Sequence, residues 1–385
     1  MRFSVDAHAI GQHLTGNETY IRNLLTCFAN LDRESEFVAY VSRPSAYAGI
    51  PSRFQTRLVS ENPFIRLGVD LTRKLRQDRP DLVHVQYTAP LGCPVPVVVS
   101  VHDVSYLEHP EYFTRFRSWQ LRNTVKRTVR SAARVFTPSD FSKQAILRAY
   151  ALPDEKVMVM PNAVSSSFRP VPRETSQRWA RAHREYSFPF ILTVGDLQPR
   201  KNHLRLTRAF EEIVRAHPQL PHHLVMVGKE TWYSDTVRTA AEKSPTGERI
   251  HFTGFVEDDE LLRLYGACDL FVYPSLYEGF GLPILEAMAC GRAVACSNTS
   301  AMPEVADSAA LLFDPHSVSE MARAMRDLLL DAELRTRMER LGLHRATLFS
   351  WEKTARKTLD VYYEIAGRSR SRTLSAKPVT SLARS

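Results

Sequence analysis

The amino-acid sequence predicts an α/β protein built from two Rossmann-like domains, each with a doubly wound parallel sheet. Short apolar runs rich in β-branched residues alternate with helical stretches, which is the pattern of βαβ units. The alternation is interrupted once, by the stiff proline-containing stretch 168–172, and then begins again. A chain of 385 residues is also longer than one hydrophobic core usually supports. We expect the two domains to face each other across a central cleft.

The first domain is predicted to span residues 1–168. Six apolar runs with helical stretches between them are its expected strands, at residues 3–5, 37–41, 82–85, 95–101, 135–137 and 157–160.

The second domain is predicted to span residues 169–366. Its expected strands are six further apolar runs, at residues 190–194, 224–227, 250–252, 270–273, 293–296 and 310–313. The helices between them carry apolar residues at helical spacing, for example Leu206, Phe210 and Ile213. Three helices end this domain, and the last, near residues 351–365, is a candidate to cross back to the first domain. Residues 367–385 form a basic tail that we expect to be disordered.

The chain is basic, with a formal net charge of +9 and a pI near 9.4. The excess lies in the first half, where residues 1–180 hold 24 Lys and Arg against 16 Asp and Glu. Such a balance suggests a nucleic acid, an anionic membrane or a phosphorylated ligand as partner. The sequence contains no nucleic-acid recognition motif, and its basic residues are not interleaved with aromatic stacking platforms, so it argues against nucleic acid.

The cysteines and the N-terminus indicate the compartment. The five cysteines are odd in number and form no CxxC pair, which is typical of free thiols in a reducing cytosol. The N-terminal segment carries Asp6 and lacks the apolar core of a signal peptide. No apolar run approaches the ~20 residues of a spanning helix. We therefore expect a cytoplasmic protein, with any membrane contact peripheral at the inner face.

Ligands of doubly wound sheets bind beyond the carboxyl ends of the strands, so the loops there are searched first. The loop after 190–194 begins with Gly195 and carries Arg200 and Lys201 just before a helix. Two cations beside the positive end of a helix dipole form a site suited to a diphosphate. The alternative is an ordinary solvated basic turn.

The loop after 270–273 carries two carboxylates, Glu278 before the following helix and Glu286 one turn inside it. Between them, Gly279 and Gly281 permit unusual backbone angles and a close approach to a ligand. Carboxylates accept hydrogen bonds from vicinal diols such as those of a ribose or a hexose. The alternatives are helix-dipole compensation by Glu278 and an ordinary surface charge at Glu286.

In the first domain, His102 follows the run 95–101 and is the best placed imidazole for a role at the cleft. It would hydrogen-bond a sugar or stabilise charge at the reacting centre. The alternative is a satisfied buried histidine.

Taken together, these motifs resemble the nucleotide-sugar enzymes of glycosyltransferase family 4. The resemblance rests on the Glu278-x7-Glu286 spacing, on the loop from Gly195 to Arg200-Lys201-Asn202 and on Gly254-Phe255-Val256. It is closest over residues 188–315, which include Pro303-Glu304-Val305, and extends more loosely to the first domain. It implies the GT-B fold and transfer of a sugar with retention, without a metal or any cofactor besides the donor substrate.

The resemblance also implies a role for each matching residue. Arg200 and Lys201 would hold the donor diphosphate, Glu286 the ribose and Glu278 the transferred sugar. Asp103 would position His102 or help to deprotonate the acceptor, unless it simply caps the next segment. The other implied donor contacts are mostly backbone: Gly195, Gly279, Phe280, Gly281 and Leu282 near the phosphates and sugar, Val256 near the base, and Gly16 in a first loop. In that loop Glu18 replaces a second glycine, so it would face the acceptor or assist helix initiation.

The predicted function is a retaining hexosyltransferase that uses a nucleotide-sugar, with GDP-mannose favoured, on a glycan or lipid-linked acceptor. The alternatives are a GT-B sugar-nucleotide epimerase and a basic nucleic-acid-binding protein. Acceptor choice is expected in the loops 62–67 and 106–116. A basic helical stretch with Phe116 and Trp119 is a candidate surface for anionic lipid, its cations being Arg115, Arg117, Arg122, Lys126, Arg127, Arg130 and Arg134. Its alternative is a solvated face above a core stripe.

Overall fold

The computed structural model describes residues 1–12, 15–184 and 186–367. The predicted tail beyond residue 367 lies outside the described residues. The first domain is built on a parallel sheet with the order β3-β2-β1-β4-β5-β6-β7. Its strands are β1 (Arg2–Asp6), β2 (Glu36–Val41), β3 (Gln55–Leu58), β4 (Leu82–Gln86), β5 (Val97–Ser100), β6 (Arg134–Thr137) and β7 (Val157–Val159).

The helices of the first domain cover both faces of this sheet. They are α1 (Thr15–Leu31), α2 (Pro63–Ile65), α3 (Leu71–Asp78), α4 (Ser105–Glu108), α5 (Arg115–Ser131) and α6 (Asp140–Tyr150). A π-helical turn, Arg66–Asp70, joins α2 to α3. Side chains such as Phe3 and Phe37 form the core on one face, and Val83 and Val99 lie in the core on the other.

The second domain is built on a parallel sheet with the order β10-β9-β8-β11-β12-β13. Its strands are β8 (Phe190–Val194), β9 (His223–Val227), β10 (Ile250–Gly254), β11 (Leu270–Tyr273), β12 (Val294–Ser297) and β13 (Leu311–Phe313). Its helices include α7 (Arg173–Arg184), α8 (His203–Ala216), α9 (Ser234–Glu242), α10 (Asp258–Ala267), α11 (Leu282–Ala289), α12 (Met302–Ala306), α13 (Val318–Leu330) and α14 (Ala332–Thr347).

The last helix, α15 (Trp351–Ile365), packs against α1 of the first domain. The Tyr362 hydroxyl lies 2.5 Å from Nδ1 of His84 in β4, and the Tyr363 hydroxyl donates to Asp32 at 2.7 Å. Because Tyr362 is fully buried in the core of the first domain, this helix ties the end of the described chain to the first sheet.

In each sheet the strand order reverses between two neighbouring strands, β1 and β4 in the first and β8 and β11 in the second. The loops that leave these strands diverge, which opens a crevice at the carboxyl edge of the sheet. Each of the two Rossmann-like domains thus has one crevice where a ligand can bind. The two-domain α/β fold predicted from the sequence is confirmed.

Two local features of the first domain differ from the sequence analysis. The strand β3 was missed because it is a largely exposed edge strand with the polar sequence QTRL rather than an apolar run. The first loop expected around Gly16 is instead the beginning of α1, so Gly16 is a helical residue. In the described part of the chain, a Cβ built at Gly16 would meet no atom within 4 Å outside its chain neighbours and the backbone of its own helix.

Candidate active site

The basic loop after β8 is hydrogen-bonded to the loop after β11. Arg200 and Lys201 lie in a tight turn, Pro199–Lys201, that precedes α8. Asn202 ends this turn in the left-handed conformation, and its Nδ2 donates to the carbonyls of Pro274 at 3.1 Å and Pro315 at 2.8 Å. The two loops at the crevice of the second sheet therefore form one rigid unit.

Gly195 makes room for this arrangement. A Cβ at this position would lie 3.0 Å from Cδ of Lys201, so a larger residue would push the lysine out of place. Gly228 approaches even more closely, since its Cβ would lie 2.1 Å from the carbonyl oxygen of Gly195. Gly195 therefore lets the Lys201 side chain pack closely beside the end of β8.

Arg200, Lys201 and Glu278 form an ion triad. One oxygen of Glu278 lies 2.6 Å from Nζ of Lys201 and accepts from Ser275 Oγ at 2.6 Å, while the other lies 2.7 Å from Nη1 of Arg200. Burial alone would raise the pKa of Glu278, but the two cations outweigh it and lower that pKa to about 2. The triad thus carries two positive charges and one negative charge.

The two cations differ in their surroundings. Burial lowers the pKa of Lys201, although Glu278 opposes this, and its Nζ also donates to the Tyr273 hydroxyl at 2.7 Å. Burial acts against the charge of Arg200 as well, but Glu278 and then Asp103 raise its pKa above the usual value. Asp103 of the first domain lies close to the loop of Glu278, since a Cβ built at Gly279 would lie 3.0 Å from its Cβ.

Glu286 lies in α11, the helix that follows the triad, and accepts a hydrogen bond from the Tyr265 hydroxyl at 3.0 Å. Burial raises its pKa to about 7, although the bond from Tyr265 acts to lower it, and the nearby Asp258 contributes to the rise. Its proton equilibrium therefore lies near neutral pH. Val256, the residue expected near a base, is buried in the core of this domain at the end of β10.

The segment from Gly279 to Leu282 turns from β11 into α11. Gly281 has a φ of +100°, which favours glycine, and Leu282 begins α11. Phe280 is buried and packs edge-on against Phe349 at 5.6 Å. The approach of this backbone to donor phosphates stays a prediction.

His102 follows β5 and lies at the carboxyl edge of the first sheet. Its Nε2 is 3.1 Å from Oε1 of Gln86, and the Tyr20 ring packs edge-on at 4.8 Å. Burial lowers its pKa to about 4, although Asp103 opposes this, so the imidazole is neutral near pH 7. Oδ1 of Asp103 accepts from the amide of Ser105 at 2.9 Å and from its hydroxyl at 2.6 Å, which is the capping arrangement considered above.

The two domains touch directly beside these residues. The Ser139 hydroxyl, in the first domain, donates to the Gly279 carbonyl at 2.7 Å. Glu304, in the second domain, accepts from the amides of Asp140 at 2.9 Å and Phe141 at 3.2 Å, at the N-terminus of α6. The structure therefore brings His102 and Asp103 together with the loop of Glu278. The sequence analysis did not single out Ser139 or Ser275. It named Glu304 only as part of the motif Pro303-Glu304-Val305.

Glu18 makes its contacts within the first domain. Its carboxylate accepts from the amide of Gly11 at 3.1 Å and from Arg22 at 2.6 Å. One contact reaches Gly11 before α1 and the other lies within the first turns of α1, so a role of Glu18 in helix initiation stays a prediction. Among the residues that the structure describes, no group of three or more His, Cys, Asp or Glu is arranged to hold a metal ion.

Family models match both halves of the chain. The model described as Glycosyl transferases group 1 matches residues 176–345, and that described as Glycosyltransferase Family 4 matches residues 14–168. The O-antigen chain mannosyltransferase B of Escherichia coli is 33% identical over 271 residues, which cover 69% of this chain and 69% of that protein. The chain belongs to the family 4 glycosyltransferases. The resemblance in the sequence is thereby confirmed, and neither an epimerase nor a nucleic-acid-binding protein finds support.

Two other relatives of this glycosyltransferase differ in length from it. The serotype-specific mannosyltransferase WbdA of Escherichia coli is 29% identical over 349 residues, which are 86% of this chain but 41% of that protein. The chain thus spans about two-fifths of the length of that relative. A D-inositol 3-phosphate glycosyltransferase of Corynebacterium jeikeium is 32% identical over 218 residues, 54% of this chain and 51% of that protein.

Solved structures show the same fold. The glycosyltransferase superimposes on sucrose-phosphate synthase from Thermosynechococcus elongatus with a TM-score of 0.76 and 18% identity, covering 95% of this chain and 99% of the other. HepE of Anabaena, solved in complex with UDP and glucose, gives a TM-score of 0.72 and 18% identity, covering 94% and 98%. These similarities confirm the GT-B architecture.

Proposed function

We propose that this protein is a retaining hexosyltransferase that moves mannose from GDP-mannose to a glycan or lipid-linked acceptor in polysaccharide or oligosaccharide synthesis. The observation that carries the proposal is the ion triad at the crevice of the second sheet. Its two cations are partly buried and paired with Glu278. The names of the relatives, two of which are mannosyltransferases, support the choice of sugar.

The charges of the triad explain how it assists cleavage of the sugar–phosphate bond. When the sugar–phosphate bond breaks, negative charge grows on the departing diphosphate and positive charge on the anomeric carbon. Arg200 and Lys201 stabilise the departing diphosphate more strongly as its charge grows, which is the differential stabilisation that catalysis requires. Because the cations are already held in place, little reorganisation is needed at the moment of reaction.

The other residues bind the donor. The carboxylate of Glu286 accepts hydrogen bonds from the ribose hydroxyls, and Glu278 contacts hydroxyls of the transferred sugar while it balances the cations. Backbone near Val256 contacts the base, and that near Gly16, Gly195 and Gly279–Leu282 approaches the phosphates. Neutral His102 hydrogen-bonds the sugar from the first domain, with Asp103 beside it. The reaction uses no metal, because the cations of the triad take its place at the diphosphate.

The protein works in the cytoplasm, at the inner face of the membrane. All five cysteines are unpaired, which fits a reducing compartment. Within the described ranges, no helix combines the length and the apolar character that crossing a bilayer requires. Helix α5 leaves Phe116 and Trp119 exposed beside its cations, while Val125 and Val129 pack into the core, and this suits peripheral contact with anionic lipid. Arg134 does not belong to this surface, because it lies in β6 and pairs with Glu364 at 2.7 Å.

Titration calorimetry with GDP-mannose, GDP and UDP tests the donor, and release of GDP with and without a mannosylated acceptor tests the reaction. We expect GDP and GDP-mannose to bind and UDP to bind more weakly. Glu278→Gln should lose most of the turnover, because a neutral amide no longer balances the two partly buried cations. Absence of binding by every nucleotide would contradict the proposal, and tighter binding of UDP would reassign the donor.

A further inference from the structure

Gln86, at the end of β4, is a buried polar side chain that uses only half of its amide. It is 5% exposed, and in the part of the chain that the structure describes its Nε2 has no hydrogen-bond partner. Burying a donor without a partner is costly, so a glutamine at this position needs an explanation. The other end of the amide supplies one, because Oε1 lies 3.1 Å from Nε2 of His102.

The register of the first sheet brings these two side chains to the same face. Gln86 in β4 pairs with Ser100 in β5, and His102 lies two residues beyond Ser100. Because successive side chains of an extended chain point to opposite faces, residues 100 and 102 share a face. The ladder continues past the end of β5, since the Val101 amide donates to the Phe136 carbonyl at 2.8 Å. Strand pairing therefore holds the glutamine beside the histidine.

Two tyrosine rings pack against the imidazole of His102. The Tyr20 ring lies edge-on at 4.8 Å and the Tyr87 ring at 5.7 Å, measured between ring centroids. Tyr20 is fixed in turn, because its hydroxyl lies 2.9 Å from Oγ of Ser100, which lies 2.7 Å from Nε2 of His84. These contacts limit rotation of the imidazole, so its Nε2 stays directed at the glutamine amide.

The contact with Gln86 decides which ring nitrogen carries the proton. A neutral imidazole has one N–H and one nitrogen with a lone pair, and the hydrogen bond of one nitrogen fixes the state of the other. Oε1 of Gln86 can only accept, so Nε2 of His102 is the N–H. Among residues 1–12, 15–184 and 186–367, no group forms a hydrogen bond to Nδ1. His102 is partly exposed, so this lone pair is left for a ligand.

We infer that Gln86 is a positioning residue for His102, which holds the proton on Nε2 and leaves Nδ1 as an acceptor for a hydroxyl of the substrate. This inference rests on the proposed function and refines it, because it makes His102 accept a hydrogen bond from the sugar and not donate one. The wrong tautomer at a catalytic imidazole can cost orders of magnitude in turnover. The buried glutamine thus has a role that packing alone does not require.

The first measurement is the tautomer of His102, by proton–nitrogen NMR correlation spectra that distinguish a protonated ring nitrogen from an unprotonated one. The signals are assigned by their loss in His102→Ala. We expect the proton on Nε2 in the wild type and in Gln86→Glu, which keeps an acceptor oxygen. Gln86→Met has no such oxygen and should lose the fixed tautomer. Gln77→Met, at an exposed position in α3, is the matched control, and thermal unfolding checks the fold of each variant.

Turnover at saturating GDP-mannose separates a positioning role from a structural one. Gln86→Met should lower turnover about tenfold or more in the wild type and not at all in His102→Ala, because the glutamine acts through the histidine. In Gln86→Glu, the carboxylate stabilises the imidazolium and raises its pKa, which is about 4 in the wild type. As pH falls, this variant should therefore lose turnover at a higher pH than the wild type. The other titratable groups near the ring are unchanged: Tyr20, Tyr87, His84 and Asp103.

Three results would overturn the inference: a proton on Nδ1 in the wild type, the wild-type tautomer in Gln86→Met, or an equal loss from Gln86→Met with and without His102. The first would mean that the amide is turned round and donates to the ring. If Gln86→Met does not fold, the wild-type spectrum and Gln86→Glu still decide. Failure of the proposed function has a different signature. In that case GDP-mannose gives no turnover with any acceptor, while the tautomer and its dependence on Gln86 can still be read.

Discussion

Gly279 of the second domain lies directly against the backbone of His102 in the first. A Cβ at position 279 would lie 2.1 Å from the His102 carbonyl oxygen and 3.0 Å from Cβ of Asp103. The nearest obstacle is backbone, which cannot rotate away as a flexible side chain would. Only glycine at this position allows the loop of Glu278 to meet the candidate catalytic segment of the first domain.

We therefore expect Gly279→Ala to separate the two domains locally while each retains its fold. A displacement of about 1 Å at a reacting centre can cost about 100-fold in rate, so turnover should fall by at least that factor. Steady-state kinetics and small-angle scattering measure the effect, and circular dichroism checks the fold. Gly68→Ala is the control for scattering, since a Cβ there meets no atom within 4 Å. Normal turnover of Gly279→Ala would show that the contact does not set the active geometry.

Lys201→Ala tests the role of the triad in the departure of the diphosphate. Removal of a single donor that stabilises developing negative charge typically costs about 2.7–4 kcal/mol, so turnover should fall by about 100-fold or more. The fold should survive, because Glu278 retains Arg200 and Ser275 as partners. Lys243→Ala, at an exposed position after α9, is the control. Turnover close to that of the wild type would remove Lys201 from the mechanism.

The raised pKa of Glu286 predicts a pH dependence of donor binding. The carboxylate must be ionised to accept from two ribose hydroxyls, and its pKa in the free protein is about 7. Donor affinity should therefore rise between pH 6 and pH 8 and level off above. In Glu286→Gln, affinity should be lower and the rise absent. Titration calorimetry between pH 6 and pH 8 measures the donor affinity of both proteins. An identical pH profile in the variant would exclude Glu286 as the source of the pH dependence.

The same group predicts an effect on stability with a defined sign. Because the folded-state pKa of about 7 exceeds the usual 4.5, the carboxyl holds its proton more tightly in the folded state. Stability of the free protein should fall as pH rises from about 4.5 through 7. Glu286→Gln should be more stable than the wild type at pH 8, by about 3 kcal/mol, since one pKa unit corresponds to about 1.4 kcal/mol. Denaturant unfolding of both proteins at pH 5 and pH 8 measures the difference between their free energies of unfolding. An equal difference at the two pH values would contradict the prediction.

Glu304 caps helix α6 across the domain boundary, so its removal should loosen the closed arrangement. Glu304→Ala leaves the amides of Asp140 and Phe141 without this acceptor. We expect a larger radius of gyration and a several-fold loss of turnover, since loss of an N-cap costs about 1 kcal/mol. Glu333→Ala, an exposed acid at the start of α14, is the control. Unchanged scattering would mean that other contacts suffice to hold the domains.

Helix α5 should bind anionic vesicles. The double variant Phe116→Ser and Trp119→Ser removes two side chains that are 61% and 63% exposed beside the cations of the helix. It should reduce sedimentation with phosphatidylglycerol vesicles, and added salt should reduce that of the wild type. Trp232→Ser removes an equally exposed tryptophan, at 66%, from the second domain. Binding that is insensitive both to salt and to the double variant would place the contact elsewhere.

The candidate site was largely predictable because parallel strands present their carboxyl ends at one edge. Arg200 and Lys201 after β8, and Glu278 after β11, were assigned to one crevice on that ground, and the structure brings them within hydrogen-bond distance. The helical position of Gly16 was not predictable, because a helix start depends on contacts such as that of Glu18 with Gly11. The edge strand β3 was missed because its residues are polar.

The sequence by itself determined the two alternating α/β halves and the loops that carry charge, since periodicity and composition are local properties. Only the tertiary structure decided which charges compensate one another and which loops meet: Glu278 binds both cations, and Gly279 fits against His102. These relations join residues more than seventy positions apart. They depend on how strands and domains pack together, which no local sequence pattern specifies.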